Sequence, residues 1–190
     1  QEILDIARAA SDKAVRSVDN DFGVQILDVR MKRADFPLAA DVYDEHIRGA
    51  QEAEQMGYKY YFPIEHQTST VSYMSAPNIY LTALARATSA IRFGMMIYQL
   101  PFHHPIRLAE DTAMLDHLSE GRIEFGTGRS AAYELTGMGI DPQDSRDMWE
   151  ESLTMVPKIW DSDKFSWDGR FWSVPEREVL PKPYQKPHPP

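Results

Sequence analysis

Cysteine is absent from the 190 residues, which removes disulfides, thiolate metal sites and a cysteine nucleophile from consideration. Long apolar runs are missing too. None approaches the roughly 18 residues a membrane span requires, and no signal-like apolar core follows Gln1. Positive charge is scarce: 20 Lys and Arg stand against 29 Asp and Glu, a net charge of −9 with a pI near 5.1. That balance argues against nucleic acid or an anionic membrane as the principal partner. With 43% hydrophobic residues, the chain is long enough to bury a core of its own, and a cytoplasmic location is expected.

What is present alternates between short apolar runs and amphipathic segments. Residues 1–20 carry Ile3, Leu4, Ala7, Ala10 and Ala14 at helical spacing and predict a helical extension ahead of the main domain, residues 21–190. A first strand is expected over Phe22 to Val29. A helix follows from Ala39 to Met56, with Tyr43, Ile47, Ala50, Ala53 and Met56 on one face and Gly57 as its stop. Tyr58 to Ile64 reads as a second strand, and Glu65-His66-Gln67 sits where it ends. Pro77 opens a helix to about Ser89, and Ile91 begins a third strand. Pro105 opens a third helix that ends before Gly121, and Ile123 to Thr127 is a fourth strand. Asp141-Pro142 predicts a fourth helix start. Trp149, Leu153, Val156 and Trp160 mark its buried face, and Pro157 is expected to kink or shorten it. A turn at Asp168-Gly169 separates two aromatic segments, and a proline-rich run closes the sequence.

Strand, helix, strand in succession implies a parallel sheet flanked by helices. Four such units are half of an eight-stranded barrel, typically ~250 residues, so Pro190 is expected to be a boundary within a longer protein. An open, doubly wound sheet has the same spacing. In a parallel barrel the chemistry lies where strands run out at their C-terminal ends. Three groups fall at such ends. His66 is able to move a proton near neutral pH, or to be an ordinary solvated loop histidine. Met95, Met96 and Ile97 close the third strand, either as core or as an apolar support. Arg129, after Gly126-Thr127-Gly128, is able to hold an anion or form a salt bridge, and Arg146 could point to the same side. His103, His104 and His117 have no metal-site spacing, and His104-Pro105 reads as a helix start.

From Ile91 to Arg129 the sequence carries Gly94, then Leu100-Pro101, His104-Pro105, Arg107, Ala109-Glu110-Asp111, Leu115-Asp116, Ser119, Gly121-Arg122, Phe125-Gly126 and Gly128-Arg129. In this order and spacing they resemble the bacterial luciferase-like, flavin-dependent monooxygenase family. The resemblance implies a (β/α)8 TIM barrel, of which this chain covers the first four strand–helix units. It implies reduced FMN supplied by a separate reductase, with oxygenation of a small organic substrate through a flavin C4a-hydroperoxide. By the same resemblance His66 matches the catalytic histidine, and Gln67 stands where the family usually has a second histidine. Arg129 and Arg146 match two arginines that hold the FMN phosphate. Met95, Met96 and Ile97 match the strand end that supports the flavin ring through a non-proline cis peptide, here Met96–Ile97, where smaller residues are usual. A deazaflavin (F420)-dependent oxidoreductase and a non-catalytic flavin-binding subunit are the alternatives the family offers. A homodimer or a heterodimer with a related subunit is implied as well. The apolar residues on more than one side of the third helix, Ile106, Leu108, Ala109, Ala113, Met114, Leu115 and Leu118, suit such a contact.

Overall fold

The structure, a computed structural model, describes residues 39–68 and 74–190. The helix expected over residues 1–20 and the strand expected over 22–29 lie outside these. Helix α1 (Ala39–Gln55) presents Tyr43, Ile47 and Ala50 to the core. It ends where the sequence predicts: Gly57 takes a φ of +84°, and the Tyr58 amide bonds back to Ala53 C=O at 3.0 Å. A residue without a Cβ adopts that left-handed turn at no steric cost. Met56 was expected on the buried face, but it falls beyond the last helical residue and is 78% exposed.

Three parallel strands follow: β1 (Tyr60–Tyr61), β2 (Arg92–Gln99) and β3 (Ile123–Gly128), in the order β1-β2-β3. Helix α2 (Pro77–Ala87) connects the first two, and α3 (Pro105–Leu118) connects the second and third. Each helix opens on a proline, whose missing N–H would have had no intrahelical partner there. His104 adds a cap, its Nδ1 accepting from the Ile106 amide at 3.3 Å. Between β2 and β3, Phe93 pairs with Ile123 and Gly94 with Glu124. A Cβ on Gly94 would stand 2.1 Å from Glu124 C=O, so the close approach of these strands requires glycine. Near the C-terminal end the register slips, with Met95 opposite Phe125 and Tyr98 opposite Thr127. Three steps on β2 therefore span two on β3, a bulge at Met96 and Ile97. On the far side of β3, the Phe125 amide donates to Pro190 C=O at 2.9 Å.

The N-terminal ends of the strands are tied by Arg122. Its five N–H donors reach Ser119 C=O, Thr88 Oγ1, Ile91 C=O, Ala85 C=O and Thr88 C=O, all within 3.2 Å, and its guanidinium covers the Phe93 ring at 5.2 Å. The ends of α2 and α3 and the start of β2 are thus held by one side chain. Glu54, from α1, adds to this end by accepting the amides of Ser89, Ala90 and Ile91.

After β3 come a short helix α4 (Ala132–Gly137), which the sequence reading did not anticipate, and α5 (Ser145–Asp161). Asp141 does not cap α5. Its Oδ1 accepts the Gln143 amide at 2.9 Å and fixes a turn just before the helix. Nor does Pro157 end α5 early, although it cannot donate to Leu153 C=O. The last turn is held from outside: Met155, Val156, Ile159 and Trp160 are buried, and Trp160 Nε1 donates to Ala109 C=O at 3.0 Å. A hairpin, β4 (Phe165–Asp168) and β5 (Ser173–Arg177), places Phe171 and Trp172 in its turn rather than in a strand. The second apolar side of α3 is largely covered within the chain. Ile106, Ala109 and Ala113 pack with α5, Leu108 and Leu115 face the main core, and Met114 and Leu118 remain exposed. Among the described residues no helix is long and apolar enough to cross a membrane.

Candidate active site

The C-terminal ends of the three strands open into a cleft of about 410 Å³, lined by Ile64, Glu65, His66, Met96, Ile97, Gln99, Arg129, Ser130, Ala131 and Glu134. His66, Met96, Ile97 and Arg129, which the sequence placed at strand ends, therefore share one cavity. Met95 does not share it, because its side chain lies on the core side of β2 and is fully buried. The bulge explains the change of side: with one extra residue inserted, Met96 is half exposed and Ile97 turns across β3. The peptide bond between them is cis. A Cβ on Gly128 would stand 1.9 Å from Ile97 Cδ1, so the Ile97 side chain occupies the space that glycine leaves.

Arg129 follows β3, is exposed, and has no hydrogen bond or ion pair to another described residue. Arg146 is placed differently. It lies on the first turn of α5 with its side chain 71% exposed, pairs with Glu150 one turn on at 2.8 Å, and is not part of the cleft wall. The structure brings one of the two expected arginines to the site.

The polar wall is built around two carboxylates. Glu134, from α4, is completely buried. Its Oε1 accepts from His66 Nδ1 at 3.0 Å and from the Gln67 amide at 2.8 Å, and its Oε2 from Ser130 Oγ at 2.7 Å and Gln99 Nε2 at 3.2 Å. Burial pushes the Glu134 carboxyl upward. The bonds from Ser130, the Gln67 amide, His66 and the Ala131 amide outweigh it and hold the group below the ordinary carboxylate range. Glu65, also buried, accepts from Gln67 Nε2 at 2.9 Å, His103 Nε2 at 2.8 Å and the Gln99 amide at 2.9 Å. Gln67 and Gln99 each bridge the two carboxylates. Gln67, standing where the resemblance expects a second histidine, supplies its amide Nε2 to Glu65 and to Ser75 C=O. Ser130 holds a φ of +79°, outside the regions most residues favour, and its hydroxyl reaches Glu134 from there.

Glu134, Gln99 and Ser130 were not read from the sequence. Gln99 left a signal: it is a polar residue inside an otherwise apolar strand end, and a buried amide needs partners. Glu134 left none, since a single acid in an exposed-looking stretch is ordinary.

The arrangement offers a histidine with one ring nitrogen on a buried carboxylate, an apolar shelf beside it and, at the rim, a guanidinium with no partner among the described residues. A family profile described as luciferase-like monooxygenase matches residues 24–190. The oxygenase component of a flavin-dependent trigonelline monooxygenase from Acinetobacter baylyi is 32% identical over 166 residues, 85% of this chain and 46% of that protein. Among solved structures, the monooxygenase RslO1 from Streptomyces bottropensis superposes with a TM-score of 0.77 at 30% identity, covering 80% of this chain and 47% of that one. The oxygenating constituent of 3,6-diketocamphane monooxygenase from Pseudomonas putida, in complex with FMN, gives 0.72 at 27% identity over 82% and 46%. The chain spans about half the length of these relatives. The parallel strands belong to a luciferase-like TIM barrel, and the open doubly wound alternative is set aside. With the profile running through all but the first residues, this chain belongs to the luciferase-like monooxygenase family.

Proposed function

We propose that the protein is a flavin-dependent monooxygenase that uses reduced FMN and dioxygen to oxygenate a small organic substrate. The observation that carries the reading is the gathering of His66, the Met96–Ile97 shelf and Arg129 around one cleft. The residues present fit a flavin mononucleotide. Ile97 lying over Gly128 makes an apolar support for a ring, and Arg129, with no partner among the described residues, is a cation suited to a phosphate. An FMN-bound relative at 27% identity supports the mononucleotide, and the relative named as an oxygenase component supports a separate reductase.

When bound, reduced flavin would supply the two electrons and two hydrogens with which one oxygen atom of dioxygen enters the substrate and the other leaves as water. The chain's own contribution would be to hold the ring at Met96 and Ile97, to bind the phosphate through Arg129, and to donate or accept a proton at His66 Nε2. Retention of His66 on a buried carboxylate opposes a purely flavin-holding role. Ile79, Met114 and Leu118, exposed along one groove between α2 and α3, offer an apolar surface that supports subunit association.

The test is turnover by the intact protein with reduced FMN, dioxygen and a panel of small ketones, terpenes and heteroaromatics, reading oxygenated product by mass and incorporation of labelled oxygen. One labelled atom per product is expected. Tight FMN binding without product from any panel member would favour the non-catalytic reading, and hydride transfer with F420 alone would replace FMN.

A further inference from the structure

We propose that Glu134 is the positioning residue for His66, fixing the proton on Nδ1 and leaving Nε2 as the atom that works in the cleft. The inference rests on the oxygenase reading for its purpose, but its geometry stands alone. An ionised carboxylate only accepts hydrogen bonds, so the ring nitrogen 3.0 Å from Glu134 Oε1 must carry the hydrogen. The neutral imidazole then has its lone pair on Nε2, and in the cation Nε2 carries the proton to be given. No described residue bonds to Nε2, and His66 lines the cavity.

Glu134 has no freedom to release the ring. Its two oxygens take donors from three separate segments: His66 and Gln67 after β1, Gln99 at the end of β2, and Ser130 with the Ala131 amide after β3. Gln99 cannot reverse its amide, because Nε2 also donates to Glu65 C=O at 2.8 Å and an oxygen in its place would face two acceptors. The histidine's tautomer is thereby set by all three strand ends together, in the way a buried acid orients a general base.

The experiment reads the tautomer directly, by two-bond nitrogen–proton correlation on the intact protein labelled with 15N-histidine, without flavin. The parent is expected to carry its neutral-form proton on Nδ1. Glu134→Gln, with an amide able to donate to Nδ1 instead, is expected to shift His66 toward the Nε2–H form and to lower kcat by about 100-fold with little change in substrate KM. Glu134→Asp, which keeps the charge, is expected to restore the Nδ1–H form and part of kcat. A parent found as the Nε2–H tautomer overturns the proposal, and so does Glu134→Gln with the parent's tautomer and kcat. If the parent oxygenates nothing, the oxygenase reading falls, while the tautomer still decides the role of Glu134.

Discussion

Ile97 lays its side chain over Gly128 so closely that a Cβ at residue 128 would stand 1.9 Å from Ile97 Cδ1. Gly94 has an equally tight neighbour of another kind, the Glu124 carbonyl at 2.1 Å. The two glycines should therefore fail differently. Gly94→Ala drives a methyl into backbone that cannot move without parting β2 from β3, at a cost of about 3 kcal/mol or more. Gly128→Ala meets the end of a flexible side chain, so its stability should stay within about 1.5 kcal/mol of the parent while the shelf changes shape. Denaturant unfolding and flavin titration on both variants check this: Gly94→Ala should show in the first, Gly128→Ala in the second.

His66 and Arg129 should separate chemistry from affinity. His66→Ala removes the group that moves a proton and should lower single-turnover product yield by roughly two to four orders of magnitude, with flavin affinity nearly intact. Arg129→Ala should do the reverse, weakening FMN by about 2–3 kcal/mol and sparing product yield at saturating flavin. Because Arg146 stands outside the cleft on Glu150, Arg146→Ala should leave both nearly unchanged.

Acid should loosen the opposite end of the strands through Glu54. Burial raises its carboxyl, but the amides of Ile91, Ala90 and Ser89 outweigh this and hold it below the ordinary value. A carboxyl depressed in the folded state contributes stability that is complete above its unfolded pKa and lost as pH falls through the folded one. Glu54→Gln should therefore be less stable than the parent at neutral pH, with the gap closing below the usual carboxylate range. Unfolding midpoints compared at pH 7 and pH 3 read this directly, and a gap that persists at pH 3 would contradict it.

Local signals made most of the elements legible. Gly57, Pro77, Pro105 and Gly121 each mark a boundary by what they do to φ or to a donor, and the structure places helix ends beside all four. Pro157 misled for the same reason: the local rule predicts a break, and burial of Ile159 and Trp160 overrides it. The strand-end residues His66, Ile97 and Arg129 were legible as candidates because barrel geometry says where strand ends go. The polar wall was not. Glu134 meets His66 across 68 residues of sequence, a pairing that only the closed fold creates. Met95 was expected beside Met96 and Ile97, yet its side chain is buried on the core side of β2, next to a bulge that nothing in an apolar run announces.

Arg122 spends all five donors at the N-terminal ends of the strands, while the cleft opens at the other. From Ile91, beside that arginine, to Met96 in the cleft is about 16 Å of extended chain. Sites that far apart with no shared partner contribute independently to stability. The consequence is evolutionary freedom: residues at the cleft can be exchanged for new chemistry without touching what anchors the strands. An Arg122→Lys, Met96→Ala double variant should accordingly show a coupling energy near zero, within about 0.5 kcal/mol of the sum of its parts.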